Sequence, residues 1–420
     1  MNFEDFSTAW TVFLAAAFIL AFILGFIVHK TNFCTMGAVS DWVNIGDKGR
    51  LFAWILAAAT AILGVTLLEA FGLLKLNPTF PPYRASTLII GRNILGGILF
   101  GIGMTLAGGC ANKNLVRLGG GNLKSLVVLL IIGIAAYFMI NPLPGSNNSL
   151  LSLFFYDWIK IFSINLSSQQ DIGAIISIEN TKISRLIAGL LIAVLLGFIS
   201  LRYKHFRQNK DNLLAGLSIG ILVILAWLLS GSIMVVNDEG SFSLLQYFNQ
   251  WDMLQDSEAG KPVVARTLAT QSFTFVNPAA FFLVYSANGF AFEYLNFGLL
   301  AFLGVIFGSL AYALISKSFR IEWFSSLTDV INHVVGAILM GVGAVLAVGC
   351  TIGQAVSGVS TLAVGSFITA GSIVFASALT MKIQYYQMVY EDEANFFSAL
   401  IASLADMKLI PNSWRKLEKV

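Results

Sequence analysis

A chain of 420 residues in which 57% are hydrophobic and only 11% are charged cannot cover its exterior with polar groups, since a soluble domain carries roughly a quarter charged residues. Its outer solvent must be lipid, and a net charge of +3 is too small to point to nucleic acid. Three cysteines, Cys34, Cys110 and Cys350, at separations of 76 and 240 residues fit neither a disulfide framework nor a CxxC metal site. The histidines, His29, His205 and His333, are too sparse for a zinc or haem centre, so no metal, no cofactor and no enzymatic site are expected.

About 20 mostly apolar residues cross the hydrocarbon core as a helix. Nine stretches meet that need: 10–28, 51–74, 93–109, 124–141, 184–201, 213–230, 296–316, 332–349 and 362–380. The first is read as a retained helix, because Met1–Trp10 carries Glu4 and Asp5 and lacks the basic flank of a secretory signal. Residues 267–292 are uncharged, but Gln271, Asn277-Pro278 and Asn288-Gly289 interrupt them, so a re-entrant segment is preferred to a tenth span. The expected fold is an all-α integral membrane protein of about nine transmembrane helices with short re-entrant helices.

Basic residues in short loops set orientation. Arg202, Lys204, Arg207 and Lys210 in 202–210 read as cytoplasmic, as do Lys30, Lys48 and Arg50, then Lys317 and Arg320, and the tail with Arg415, Lys416 and Lys419. Segment 231–295 holds Asp238, Glu239, Asp252, Asp256, Glu258 and Glu293 against Lys261 and Arg266, which suits the outer side. The amino terminus is then outside and the carboxyl terminus inside, in a cell inner (plasma) membrane.

The chain repeats itself. Gly96–Val116 aligned with Gly336–Val356 gives ten identities in 21 positions, including Gly109-Cys110 and Gly349-Cys350. The copies sit on the third and eighth spans, five crossings apart, and an odd number reverses direction. The repeat is therefore read as inverted, a pseudo-twofold relation of spans 1–4 to spans 6–9, an organisation that places transport sites near the midplane. Residues 1–141 are the first half, 142–212 an outer insertion with connector span 5, 213–380 the second half with outer loop 231–295, and 381–420 a cytoplasmic tail.

Each copy ends at Gly-Cys and runs into a short polar stretch, Ala111–Gly121 or Thr351–Thr361, and Asn32–Gly37 lies similarly after the first span. Non-helical backbone at membrane depth must face protein or a water-lined path. Half-helix amino termini there favour an anion, and cysteine adds a polarizable sulfur with a weak S–H donor. Such a site suits a small anion with exposed sulfur. The candidate path residues are Cys34, Cys110 and Cys350 with Gly109, Gly349, Asn112, Lys113, Thr351 and Gln354; packing explains the glycines more often than ligation. Arg92 and His333 read as snorkelling anchors at span ends.

At Phe33–Trp42 (FCTMGAVSDW), Leu106–Cys110 (LAGGC) and Leu346–Gln354 (LAVGCTIGQ) the sequence resembles the YeeE/YedE family of sulfur-transport membrane proteins. The resemblance spans most of the helical core, but not 142–183 or 231–266. It implies a nine-span, hourglass-like permease for thiosulfate or a related sulfur or selenium compound, with Cys34, Cys110 and Cys350 lining the path and bonding substrate through neutral S–H groups. It also implies a small TusA-like sulfur carrier as a cytoplasmic partner. An Arg often precedes the Phe-Cys motif in that family, whereas Lys30, Thr31 and Asn32 stand here. Two rival classes are a membrane thiol enzyme for sulfur transfer, which lacks a matching histidine, and a membrane scaffold or sensor working through the 381–420 tail.

Overall fold

A computed structural model describes residues 1–77, 79–251, 268–391, 394–415, 417 and 418. Asp252, Asp256, Glu258, Lys261, Arg266, Lys416 and Lys419, used above for orientation, lie outside the described residues. Among those described, nine helical stretches are long and apolar enough to cross a membrane.

In chain order the elements that matter here are helices α1 (Phe6–Thr31), α2 (Thr35–Ser40), α3 (Gly49–Ala70), α4 (Ile90–Leu106), α5 (Ala111–Gly119), α6 (Leu123–Ile140), α7 (Thr181–Arg202), α8 (Lys210–Ser232), α9 (Asn277–Ala287), α10 (Phe297–Ile315), α11 (Leu327–Leu346), α12 (Val364–Tyr390) and α13 (Phe396–Asp406). Helix ends extend past the apolar runs where capping groups are available. The Asp5 carboxylate, for example, accepts from Thr8 N–H at 2.8 Å and starts α1 ahead of the hydrophobic stretch. Among the described residues 268–291 the helix is α9, and its 11 residues reach about 17 Å, short of the ~30 Å core.

The connections sort onto two faces. One carries Met1, whose amino group donates to Ser232 O at 2.9 Å. On the same face β1 (Asn2–Phe3) pairs with β4 (Met234–Asn237), which turns back into β5 (Gly240–Ser243), and β2 (Thr87–Ile89) pairs antiparallel with β3 (Ser163–Asn165). Bridges Thr79–Thr270 and Asp171–Ala363 join further loops there. The opposite face holds the turn after α1, the Asn122–Glu322 bridge and the carboxy-terminal helix α13 against α12. Leu191, Val194, Leu195 and Phe198 on α7 are exposed, as side chains meeting lipid must be.

Glycine lets the central helices touch backbone to backbone. A Cβ built on Gly96 would stand 2.7 Å from Gly343 O, and one on Gly343 would stand 2.8 Å from Gly96 O. The next pair repeats this: Gly103 toward Gly336 O at 2.5 Å and Gly336 toward Gly103 O at 2.6 Å. In the sequence repeat Gly96 corresponds to Gly336 and Gly103 to Gly343, so each residue meets the counterpart of the other's partner. That reciprocity is what a twofold relation imposes on a contact. It extends outward: Gly101 approaches Ile373 and Ala376 on α12, while its counterpart Gly341 approaches Ile132 and Ala135 on α6.

Candidate functional site

The three cysteines all stand where a helix restarts. Cys34 is extended backbone ahead of α2, and its sulfur accepts from Gly37 N–H at 3.4 Å. Cys350 does the same for the turn that follows it, accepting from Gly353 N–H at 3.5 Å, with the Thr274 hydroxyl 3.9 Å away. Cys110 precedes α5 without capping it through its side chain. A sulfur in the N-cap position takes the place of the usual oxygen and satisfies one of the free amides of the first turn. The turn after Cys350 passes into a π-helical segment, Gly353–Gly358, as α2 does at Asp41–Ile45, a geometry that recurs at functional positions.

Amides four residues beyond two of the cysteines tie the broken ends back. Asn114 Nδ2 donates to Gly109 O at 2.9 Å and to Cys110 O at 3.2 Å. Its counterpart Gln354 donates through Nε2 to Ala347 O. Both exposed helix ends thereby keep partners without lipid contact.

All three thiols are buried, at 4% exposure for Cys34, 1% for Cys110 and 0% for Cys350. Cys110 lies within electrostatic reach of both others, and its sulfur is beside the Thr351 hydroxyl and the Lys113 amide. The Cys34 turn belongs to the face opposite Met1, whereas Cys350 lies toward the loops of the Met1 face through Thr274 and Tyr83. Cys110 therefore stands between the other two. Among the described residues no group of three His, Cys, Asp or Glu side chains is close enough to hold a metal ion. Around them Thr35 Oγ1, Asn112 Oδ1, Thr351 Oγ1 and Gln354 Oε1 are buried without a hydrogen-bond partner. Unmatched buried polar atoms cost about 1–3 kcal/mol each and call for an explanation.

Lys113 Nζ donates to Asn32 Oδ1 at 2.5 Å, linking α5 to the turn that carries Cys34, and stays within electrostatic reach of Cys34 and Cys110. Gly109 has Lys113 packed across it, at 3.0 Å from an added Cβ, and Gly349 has Gln354 across it at 3.3 Å. The structure thus groups Cys110 with Cys34, Cys350, Thr351 and Lys113, and makes Gly109 and Gly349 close-packing positions under polar side chains.

Sequence reasoning missed a polar pocket on the Met1 side of Cys350. It is lined by Tyr83, Arg92, Asn93, Gln170, Gln354 and Ser366, with Arg92 Nε, Tyr83 Oη and Gln170 Oε1 unpartnered. Arg92 forms no salt bridge among the described residues. A cation at the first turn of a span resembles a snorkelling anchor in the sequence, and the loops that supply Tyr83 and Gln170 carry no periodic signal. The other acid-base side chains nearby are paired. Arg84 holds Glu69 at 2.6 and 2.9 Å, and Arg185 holds Asp171 at 2.9 and 2.7 Å. On the opposite face His333 rests on Asp329.

The chain is similar to known transport proteins. Over 339 residues the chain is 24% identical to the thiosulfate transporter TsuA of Escherichia coli K12, covering 79% of this chain and 83% of that protein. It is also 24% identical over 364 residues to the thiosulfate transporter TsuA of Spirochaeta thermophila, covering 84% of this chain and 93% of that protein. A family model described as sulphur transport matches residues 30–379. With that match running over all three cysteine turns, the chain belongs to the sulphur-transport family of membrane proteins.

Proposed function

We propose that the protein carries thiosulfate, or an anion of similar size with exposed sulfur, inward across the cell's inner membrane along a series of neutral thiols. The observation that supports this reading is that all three cysteines are buried, with Cys110 within electrostatic reach of both Cys350 and Cys34. In this orientation the Met1 face is outside and the α13 face cytoplasmic. The anion is admitted by Arg92 and its amide neighbours, passes Cys350 beside Gln354, then Cys110 beside Thr351 and Asn112, then Cys34, and is released near Lys113. Neutral S–H groups are weak donors, strong enough to replace part of a hydration shell and weak enough to let go. The halves 1–141 and 213–380, related by inversion, supply one side of the seam each, with α5, α9 and the turn after Cys350 as segments that do not cross.

Energetics fixes a further requirement. Two negative charges moved inward against 100 mV cost about 4.6 kcal/mol, so an uncaptured dianion would sit more than about a thousandfold below its external level. Capture on the cytoplasmic side meets that need, and a small sulfur-carrier protein of the TusA kind is the proposed acceptor. The deciding experiment is uptake of labelled thiosulfate into proteoliposomes by the intact protein and by Cys110→Ala, at matched protein content. Near-complete loss is expected in the variant; uptake equal to the intact protein's would remove Cys110 from the path.

A further inference from the structure

Tyr83 lies between the outer polar pocket and the first thiol. It is 4% exposed, and its hydroxyl has no hydrogen-bond partner. On one side it lines the pocket with Arg92, Gln170 and Gln354. On the other it packs on the turn after Cys350: an added Cβ on Gly358 would meet the ring at 2.9 Å, and one on Gly353 would meet the hydroxyl at 3.4 Å. Cys350 is within electrostatic reach of the same phenol.

The ring is held in place. Trp227 meets it edge-on at 6.3 Å and is itself anchored by its indole N–H to Ser360 Oγ at 3.1 Å. The next residue, Arg84, donates through Nε to Thr361 O at 2.9 Å while gripping Glu69. Burial and the neighbouring Cys350 push the Tyr83 phenol well above its usual range, so it keeps its proton at neutral pH. A phenol both donates and accepts. It can hold an oxygen of the anion through O–H while its own oxygen takes the S–H of a thiol.

We infer that Tyr83 is a specificity-determining threshold residue, whose hydroxyl bonds an oxygen of the sulfur oxyanion as it leaves Arg92 for Cys350 and whose ring closes the pocket to water. This rests on the reading of the cysteines as the path. The interaction is made at the passage between two sites, so its loss lowers the maximal rate, whereas loss of Arg92 weakens binding.

The test is thiosulfate uptake in proteoliposomes by Tyr83→Phe, Arg92→Gln and Cys110→Ala, with melting temperatures measured on each. Tyr83→Phe is expected to melt like the intact protein and to lose about tenfold in maximal rate with little change in KM, as loss of one buried hydrogen bond would give. Arg92→Gln is expected to raise KM. Intact maximal rate in Tyr83→Phe beside an inactive Cys110→Ala overturns the Tyr83 assignment alone. Intact uptake in Cys110→Ala overturns the thiol path beneath it. If Tyr83→Phe is too unstable to purify, Tyr83→His, which retains a donor, is compared with Tyr83→Leu. A faster histidine variant supports the assignment, and equal rates overturn it.

Discussion

The hydroxyl of Thr351 stands beside the sulfur of Cys110, although one residue belongs to the second cysteine turn and the other to the first. Thr351 is 1% exposed, and its Oγ1 makes no hydrogen bond of full geometry. A thiol is a weak acceptor and leaves most of the hydroxyl's capacity unused. In the proposed function that spare donor serves the anion at the crossing from one half of the protein to the other. Thr351→Val keeps the shape and removes the donor. Its uptake rate in proteoliposomes is expected to fall about five- to tenfold, as for one lost hydrogen bond. Thr351→Ser is expected to stay near the intact rate. Equal rates for the valine and serine variants would remove Thr351 from the path.

The glycine contacts of α4 and α11 lead to a stability prediction. A methyl on Gly103 or on Gly336 meets a facing carbonyl at 2.5 or 2.6 Å, backbone that cannot rotate away. Gly103→Ala and Gly336→Ala are each expected to destabilise the protein by about 1–3 kcal/mol through overpacking. Because the contacts are reciprocal, the two losses should be similar. The double variant should lose less than their sum, since the first substitution already forces the helices apart. Gly371, whose added Cβ meets nothing within 4 Å, is the control, and Gly371→Ala should melt near the intact protein. Thermal unfolding in detergent checks all four.

The parts of this architecture that were legible in the sequence are those with a long-range regularity. Apolar runs of spanning length correspond to nine helical stretches among the described residues, because lipid leaves the backbone few alternatives. The repeated Gly-Cys ends pointed to the cysteine turns, since a glycine-lined crossing must match on both partners. Tyr83, Arg92 and Gln170 were not legible as a group. They come from two loops and one helix end far apart in the chain, and only tertiary packing places them around Cys350. Glu69 stands inside the apolar run 51–74. Its partners Arg84 and Arg185 come from a loop and from α7, which hydropathy does not relate.

That charge cluster gives a pH prediction. Asp171 is fully buried; burial alone would raise its pKa, but the two hydrogen bonds from Arg185, the charge of Arg84 and the Ala174 N–H outweigh it and hold the carboxyl below its usual range. A depressed folded-state pKa stabilises above the unfolded value, near ~3.9, and that contribution is lost as pH falls through the folded value. Asp171→Asn leaves Arg84 and Arg185 sharing Glu69, and breaking such a buried pair is expected to cost about 3 kcal/mol at neutral pH. The melting-temperature gap between the intact protein and Asp171→Asn should therefore be widest near pH 7 and narrow below about pH 4. A gap that does not change with pH would assign the loss to packing rather than to charge.

The last prediction concerns the driving force. In the proposed function the anion carries its own charge across, and among the described residues the acids of the spans are paired with cations, Glu69 with Arg84 and Arg185, and Asp329 with Lys124. Uptake of thiosulfate is then expected to be electrogenic, two negative charges per turnover. In proteoliposomes clamped at 100 mV, inside negative, the final internal level should fall more than about a thousandfold relative to the unclamped state. Reversing the sign of the clamp should raise it by the same factor. A thiosulfate-binding sulfur carrier sealed inside should restore accumulation of total label without altering the free level, because capture removes the ion from the electrochemical balance. Accumulation independent of the clamp would mean that a cation travels with the anion, and the serial-thiol path would then need a second, cation-binding element beside it.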